Sequence, residues 1–236
     1  MMTPKKIELI RQLLLRAYGH PSPRTPTDPI DELVQTILSQ NTTDQNSARA
    51  FRKLKERFPS WDKVLAATPE QVAAAIHCGG LAQIKSGRII NVLRTIQRQE
   101  GCISLQRICG LPVNEALAYL TELEGVGIKT ANCILLFSCG RPVLPVDTHE
   151  YRLAQRLGLI GGSVPIHKAH EELHKQVRSE DRYAMHILLI AHGRQVCHAL
   201  KPRCDECILA RHCPSATIQL DERSGSPTIA RIASDS

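Results

Sequence analysis

Leu123-Glu124-Gly125-Val126-Gly127-Ile128-Lys129-Thr130-Ala131 lies between two apolar stripes of helical spacing, one carrying Ala116 and Leu120, the other Cys133, Leu135 and Leu136. The stretch reads as helix, tight hairpin, helix. Two glycines one residue apart let the backbone take positive φ and approach a ligand closely, and the helix that follows offers N–H groups in its first turn. Gly125, Val126 and Gly127 therefore form a candidate phosphate cradle. Taken alone, the same pattern also describes a plain turn between helices. Lys129 falls in the first turn of the second helix, where a cation opposes the positive end of the helix dipole. A bound phosphate would offset that, and so would service as an amine nucleophile, although any single lysine can equally be a solvated surface group.

Eighteen positions beyond Lys129 comes Val146-Asp147-Thr148-His149, with Asp147 placed to cap another helix. Further on, Cys197, Cys204, Cys207 and Cys213 are separated by six, two and five residues. That spacing lets one short polar loop wrap four thiolates around a single metal centre. Zinc modules usually use two close cysteine pairs, and only Cys204-x-x-Cys207 is one, but spacing leaves zinc and an iron-sulfur cluster both open. Lys201 and Arg203 sit inside this loop. The other five of the nine cysteines, Cys78, Cys102, Cys109, Cys133 and Cys139, lie among apolar neighbours and read as buried free thiols of a reducing cytosol.

Helical patterning extends through nearly the whole chain. Asp28-Pro29 and Thr68-Pro69 are helix-start signals, and Ile30, Leu33, Val34, Ile37 and Leu38 recur on one face. Further helices are expected at about 44–57, 84–99, 114–122, 128–139, 148–158, 165–178 and 182–193. An all-α protein follows, with 236 residues and 42% hydrophobic content enough for two helical subdomains. From about 215 to 236 no apolar face recurs, and a disordered tail is expected. Lysine plus arginine number 30 against 23 acids, a formal charge of +7 that favours polyanionic partners. Aromatics make up 3%, too few for stacking platforms on single strands, so duplex binding through the backbone is preferred. No apolar run is long enough for a membrane span, and a cytoplasmic, nucleoid-associated monomer is expected.

The three motifs together resemble the endonuclease III branch of the helix-hairpin-helix DNA glycosylases, over about residues 5–214. The resemblance implies a six-helix barrel-like domain at 30–141, with the helix-hairpin-helix at about 114–139. It implies a second helical domain from 1–29 with 142–214, carrying an iron-sulfur loop at 197–213, and a DNA-binding cleft between the two. It further implies a 4Fe-4S cluster on Cys197, Cys204, Cys207 and Cys213, whose loop turns Lys201 and Arg203 toward DNA phosphate. Lys129 would be the Schiff-base nucleophile and Asp147 the catalytic carboxylate of a bifunctional glycosylase and abasic-site lyase. The substrate would be duplex DNA with oxidised pyrimidines or abasic sites, the damaged nucleotide being rotated out of the stack.

Three positions depart from the pattern that the resemblance implies. Asn41, in Leu38-Ser39-Gln40-Asn41-Thr42-Thr43-Asp44, stands where a glutamine fills the gap left by the extruded base. Leu81, in Gly80-Leu81-Ala82-Gln83-Ile84-Lys85, matches a wedge residue, but Ala82 replaces a larger side chain; Glu150 replaces an apolar one. Two other readings compete. A monofunctional mismatch or uracil/thymine glycosylase would not need the Lys129 amine, and a non-enzymatic DNA-binding module with a structural metal would need neither Lys129 nor Asp147.

Overall fold

α2 (Pro29–Ser39) shows how sequence starts a helix in this chain. The Asp28 carboxylate accepts from the Ile30 and Asp31 amides at 2.8 and 3.4 Å, and Pro29 gives up no hydrogen bond in the first turn. Ile30, Leu33, Val34, Ile37 and Leu38 are then all buried on the expected stripe, each contributing about 1.5–3 kcal/mol of burial. α5 (Pro69–Ile76) repeats the device, with a reciprocal cap between Thr68 and Gln71.

The computed structural model describes residues 4–216, and among them there are eleven α-helices and no strand. The remaining helices are α1 (Pro4–Tyr18), α3 (Asp44–Arg57), α4 (Trp61–Ala66), α6 (Ala82–Glu100), α7 (Val113–Glu122), α8 (Ile128–Phe137), α9 (Thr148–Arg156), α10 (Ile166–Gln176) and α11 (Arg182–Gln195). Periodicity and helix-start signals in the sequence account for all of them but α1 and α4. α4 has only six residues, too few to show a period, and it is held by the Ser60 cap and by Trp61, whose indole N–H donates to Asp31 at 3.0 Å. The expected disordered tail lies outside the described residues apart from its first two positions.

The chain divides into two compact units. The first, Arg24–Arg141, holds α2 to α8. α8 is its inner helix: Thr130 through Leu136 are all buried, and α2 and α7 pack on it. Cys109 and Cys139 are joined by a disulfide, with Cα atoms 4.9 Å apart, closing a loop that contains α7, the hairpin and α8. This corrects the free-thiol reading, as does Cys102, which is exposed; apolar neighbours in sequence say nothing about which sulfurs meet in space. Arg141 reinforces the closure by donating to the Cys109 and Leu111 carbonyls at 2.7 and 3.0 Å.

The second unit combines Met1–Pro23 with Pro142–Ser236. Its core gathers Ile10 and Leu14 of α1, Leu153 and Ala154 of α9, Leu173 of α10, Met185, Leu188 and Leu189 of α11, and Leu209. α9 and α11 approach closely because Gly193 faces α9: a Cβ there would come within 2.8 Å of the His149 Cβ. Glycine inside a helix costs about 0.5–1 kcal/mol, so the close approach is what it supplies in return.

Candidate active site

In the hairpin, only Gly125 needs glycine's conformational freedom. Its φ is +80°, whereas Gly127 sits at φ −85° and ψ 172°, open to any residue. The positive φ that the glycine pair allows is thus used at Gly125 alone. A Cβ on Gly127 would meet nothing within 4 Å, so this glycine leaves a bare surface in front of the α8 N-terminus. Gly127 is the N-cap of α8, and no side chain caps that end. Val126 is buried at 4% exposure and anchors the hairpin through its side chain, leaving only its backbone to offer a ligand. Lys129 is half-buried in the first turn of α8.

Asp147 begins α9 in a different way. The buried run Val143 to Val146 leads into it, and its Oδ1 accepts from the amides of His149 and Glu150 at 2.8 and 2.9 Å. Both cap bonds end on Oδ1, so Oδ2 takes no part in the cap. Glu150 completes a capping box: its Oε2 accepts from the Asp147 amide at 3.0 Å. That carboxyl is fully buried, and His186 of α11 places Nδ1 3.0 Å from the same oxygen. Burial pushes the Glu150 carboxyl up; His186 opposes the shift and the Asp147 charge adds to it. In the sequence Glu150 stands out as a departure from the resembled pattern, and Asp147-x-x-Glu150 also carries the spacing of a capping box.

Asn41 and Leu81 are the two non-glycine residues with positive φ among those described, at 52° and 51°. Holding such residues left-handed costs about 1–3 kcal/mol each, and surroundings must impose it. Lys85 does part of this. It is 1% exposed, and its ammonium donates to the Leu38 carbonyl at 2.7 Å and the Gly79 carbonyl at 2.9 Å, tying together the two segments that lead into Asn41 and Leu81. Burial lowers its pKa. Arg88 adds a bond to Gln40 at 2.9 Å. Asn41 is exposed, and Leu81 and Ile84 remain 50% and 54% exposed, an apolar pair on the surface where α6 starts. Neither Lys85 nor Arg88 is distinguishable in sequence from an ordinary surface cation.

The cysteine loop hangs on α9. Arg152 donates to the Cys197 carbonyl at 2.8 and 3.0 Å and to the Gly193 carbonyl at 2.9 Å. Arg156 reaches the Cys197 sulfur at 3.1 Å and the His198 and Ala199 carbonyls at 2.7 Å each. Cys197, Cys204, Cys207 and Cys213 line one pocket with Arg156, Val196 and Ala210. Burial pushes the Cys207 thiol up to about 11, and the three other cysteines push in the same direction. Four sulfurs gathered in one pocket suit a cationic centre, which would reverse the penalty on the Cys207 thiolate. Yet no group of three or more His, Cys, Asp or Glu among the described residues is arranged to hold a metal ion. Lys201 is exposed, whereas Arg203 pairs with Glu206 at 2.9 Å and donates to the Gln195 carbonyl.

Residues 34–179 match the HhH-GPD superfamily of base excision DNA repair proteins. A provisionally named DNA glycosylase of Arabidopsis thaliana is 39% identical over 165 residues, 70% of this chain but only 56% of the plant protein. Endonuclease III of Thermotoga maritima is 33% identical over 207 residues, 87% of this chain and 91% of its own. Among solved structures, a non-covalent endonuclease III–DNA complex superposes with a TM-score of 0.78 at 25% identity, covering 92% of this chain and 97% of that one.

Proposed function

Because this chain belongs to the endonuclease III family, within the HhH-GPD superfamily of base excision DNA repair proteins, we propose that it is a bifunctional DNA glycosylase and abasic-site lyase in which Lys129 is the nucleophile and Asp147 the carboxylate. Its substrate is duplex DNA carrying an oxidised pyrimidine or an abasic site. The observation that carries this reading is the placement of Lys129: a half-buried lysine in the first turn of a helix whose N-terminus has no side-chain cap and a bare glycine in front of it. A DNA phosphate would occupy that end of α8 and offset the unfavourable position of the cation.

The deprotonated Lys129 amine attacks the anomeric carbon of the extruded nucleotide, the glycosidic bond breaks, and the base leaves with the bonding electron pair. Loss of the amine proton and opening of the sugar ring give a Schiff base. Removal of a C2′ proton then expels the 3′ phosphate and cuts the strand. Asp147, ionised, stabilises the positive charge that grows on the sugar and accepts the amine proton. Its Oδ2, outside the α9 cap, is the oxygen suited to this work.

The four cysteines would hold a 4Fe-4S cluster, and the pocket they share supports this. When bound, the cluster supplies no step of the chemistry and fixes the loop carrying Lys201 and Arg203, whose charges favour DNA phosphate. The purified protein should then be yellow-brown and contain iron and sulfide; a colourless protein with one zinc per chain would overturn the cluster. Borohydride reduction on abasic duplex DNA tests the reaction itself. The parent should be trapped covalently, and Lys129→Gln should lose trapping and strand cleavage while DNA affinity changes by no more than about tenfold. Parental trapping by Lys129→Gln would remove Lys129 from the mechanism.

A further inference from the structure

Glu150 is a costly residue where it stands. It is fully buried, it sits one helical turn from a second carboxylate, and its Oε1 is among the buried polar atoms that find no hydrogen-bond partner. A leucine would fill similar volume without a charge to desolvate, and replacing buried ionic groups by apolar ones is often neutral or stabilising. What a leucine could not do is accept the Asp147 amide at 3.0 Å while binding Nδ1 of His186 at 3.0 Å with the same oxygen. His186 is itself placed by the segment that leads into Asp147, with Nδ1 3.2 Å from the Pro145 carbonyl. One carboxylate oxygen thus joins the amide of Asp147 to a side chain on α11.

We propose that Glu150 is the positioning residue of the reaction: through its Oε2, braced by His186, it fixes the Asp147 backbone so that the two cap bonds fall on Oδ1 and Oδ2 is presented to substrate. The inference rests on Asp147 being the reacting carboxylate. The cap is reciprocal, and that reciprocity carries the argument. Without the Glu150 carboxylate, the Asp147 side chain still has the backbone amides of residues 149 and 150 to accept from, but Asp147 loses the bond on its own N–H. It can then pivot about its φ and ψ. A misplacement of about 1 Å at a reacting group costs on the order of 100-fold in rate without a matching loss of binding.

The test uses the full chain with its loop metal in place and three variants. E150L fills the volume without an acceptor, E150Q keeps an acceptor without charge, and E150D keeps the charge but shortens the reach. Two readouts are taken: hydrogen exchange of the Asp147 amide, and the single-turnover rate of base excision from duplex DNA alongside its dissociation constant. In E150L and E150D the Asp147 amide should exchange at least about tenfold faster and excision should slow about 30- to 100-fold, with DNA affinity within about threefold. E150Q should restore both readouts to within about threefold of the parent. Unchanged amide exchange in E150L and E150D overturns the proposal, and so does an E150Q as slow as E150L, which would assign the effect to charge. If E150L fails to fold, E150D and E150Q give the same comparison. A parent that binds duplex DNA but excises nothing would overturn the functional reading, while amide exchange still decides whether Glu150 fixes Asp147.

Discussion

α8 and α9 begin in opposite ways, and the contrast separates two kinds of functional helix end. α8 starts at Gly127 with no side chain on its first-turn amides; α9 starts at Asp147 with its amides taken by a carboxylate and its N-cap amide taken by Glu150. An uncapped N-terminus leaves donors and a partial positive charge for an outside anion, whereas a doubly capped one spends both to hold a side chain still. The first suits a surface that receives phosphate. The second suits a carboxylate that must not wander. Each is also stapled differently: the α7–hairpin–α8 segment is closed by the Cys109–Cys139 disulfide, and α9 is fixed by arginines that grip the cysteine loop.

The largest break in this comparison after loss of Lys129 itself comes at Asp147, because charge and cap can be removed separately. Asp147→Asn retains an oxygen that can accept from the His149 and Glu150 amides, so the fold should keep its stability while excision slows by about 100-fold or more. Asp147→Ala should show the same loss of rate and, in addition, about 1 kcal/mol of destabilisation from the missing cap. Thermal unfolding and single-turnover kinetics on the two variants read these effects independently. Equal rates for Asp147→Asn and the parent would mean that Asp147 serves α9 alone.

A smaller effect is expected at the staple behind α8. Cys109 and Cys139 are 30 residues apart, and opening a loop of that length costs about 3.6 kcal/mol in the chain-entropy account. Cys109→Ser should therefore lower the stability of the α7–α8 segment by about that amount in denaturant, and a reducing agent should do the same to the parent but not to the variant. Identical unfolding of parent and variant under oxidising conditions would show that the bond contributes nothing in solution.

Much of this contrast was legible in the sequence, for reasons that are local. Asp28-Pro29 and Thr68-Pro69 announce helix starts because capping chemistry acts over two or three residues, and the same short range made Asp147 readable as a cap. The hairpin could be placed because helical stripes run up to it on both sides. The Glu150 cap is also legible, since a cap residue followed three positions later by glutamate is a local signal; its burial and its bond to His186, 36 residues away, are not. Lys85 was beyond reach: its value lies in the Leu38 carbonyl, 47 residues away, and nothing in the sequence marks a lysine whose ammonium is buried. The Cys109–Cys139 pair is of the same kind, because which sulfurs meet depends on how α7 and α8 fold back. Sequence also could not divide labour between the two glycines of the hairpin.

That division gives the smallest effect and the most direct test of the contrast. Gly127 already has the extended conformation of an ordinary N-cap, φ −85° and ψ 172°, and a Cβ there meets no neighbour within 4 Å. Gly127→Ser would give α8 the kind of side-chain cap that α9 has, the hydroxyl accepting from a first-turn amide. Because glycine is itself a tolerable N-cap and serine a better one, stability should rise by a few tenths of a kcal/mol, or at least not fall. The same hydroxyl would take up a donor that DNA phosphate needs and put atoms where the backbone is now bare, so affinity for duplex DNA should drop about tenfold. Gly125→Ala behaves oppositely, since at φ +80° any side chain is strained: it should cost about 1 kcal/mol of stability. If Gly127→Ser bound DNA as tightly as the parent, the open end of α8 would not be where phosphate docks, and the difference between the two helix starts would be one of local folding alone.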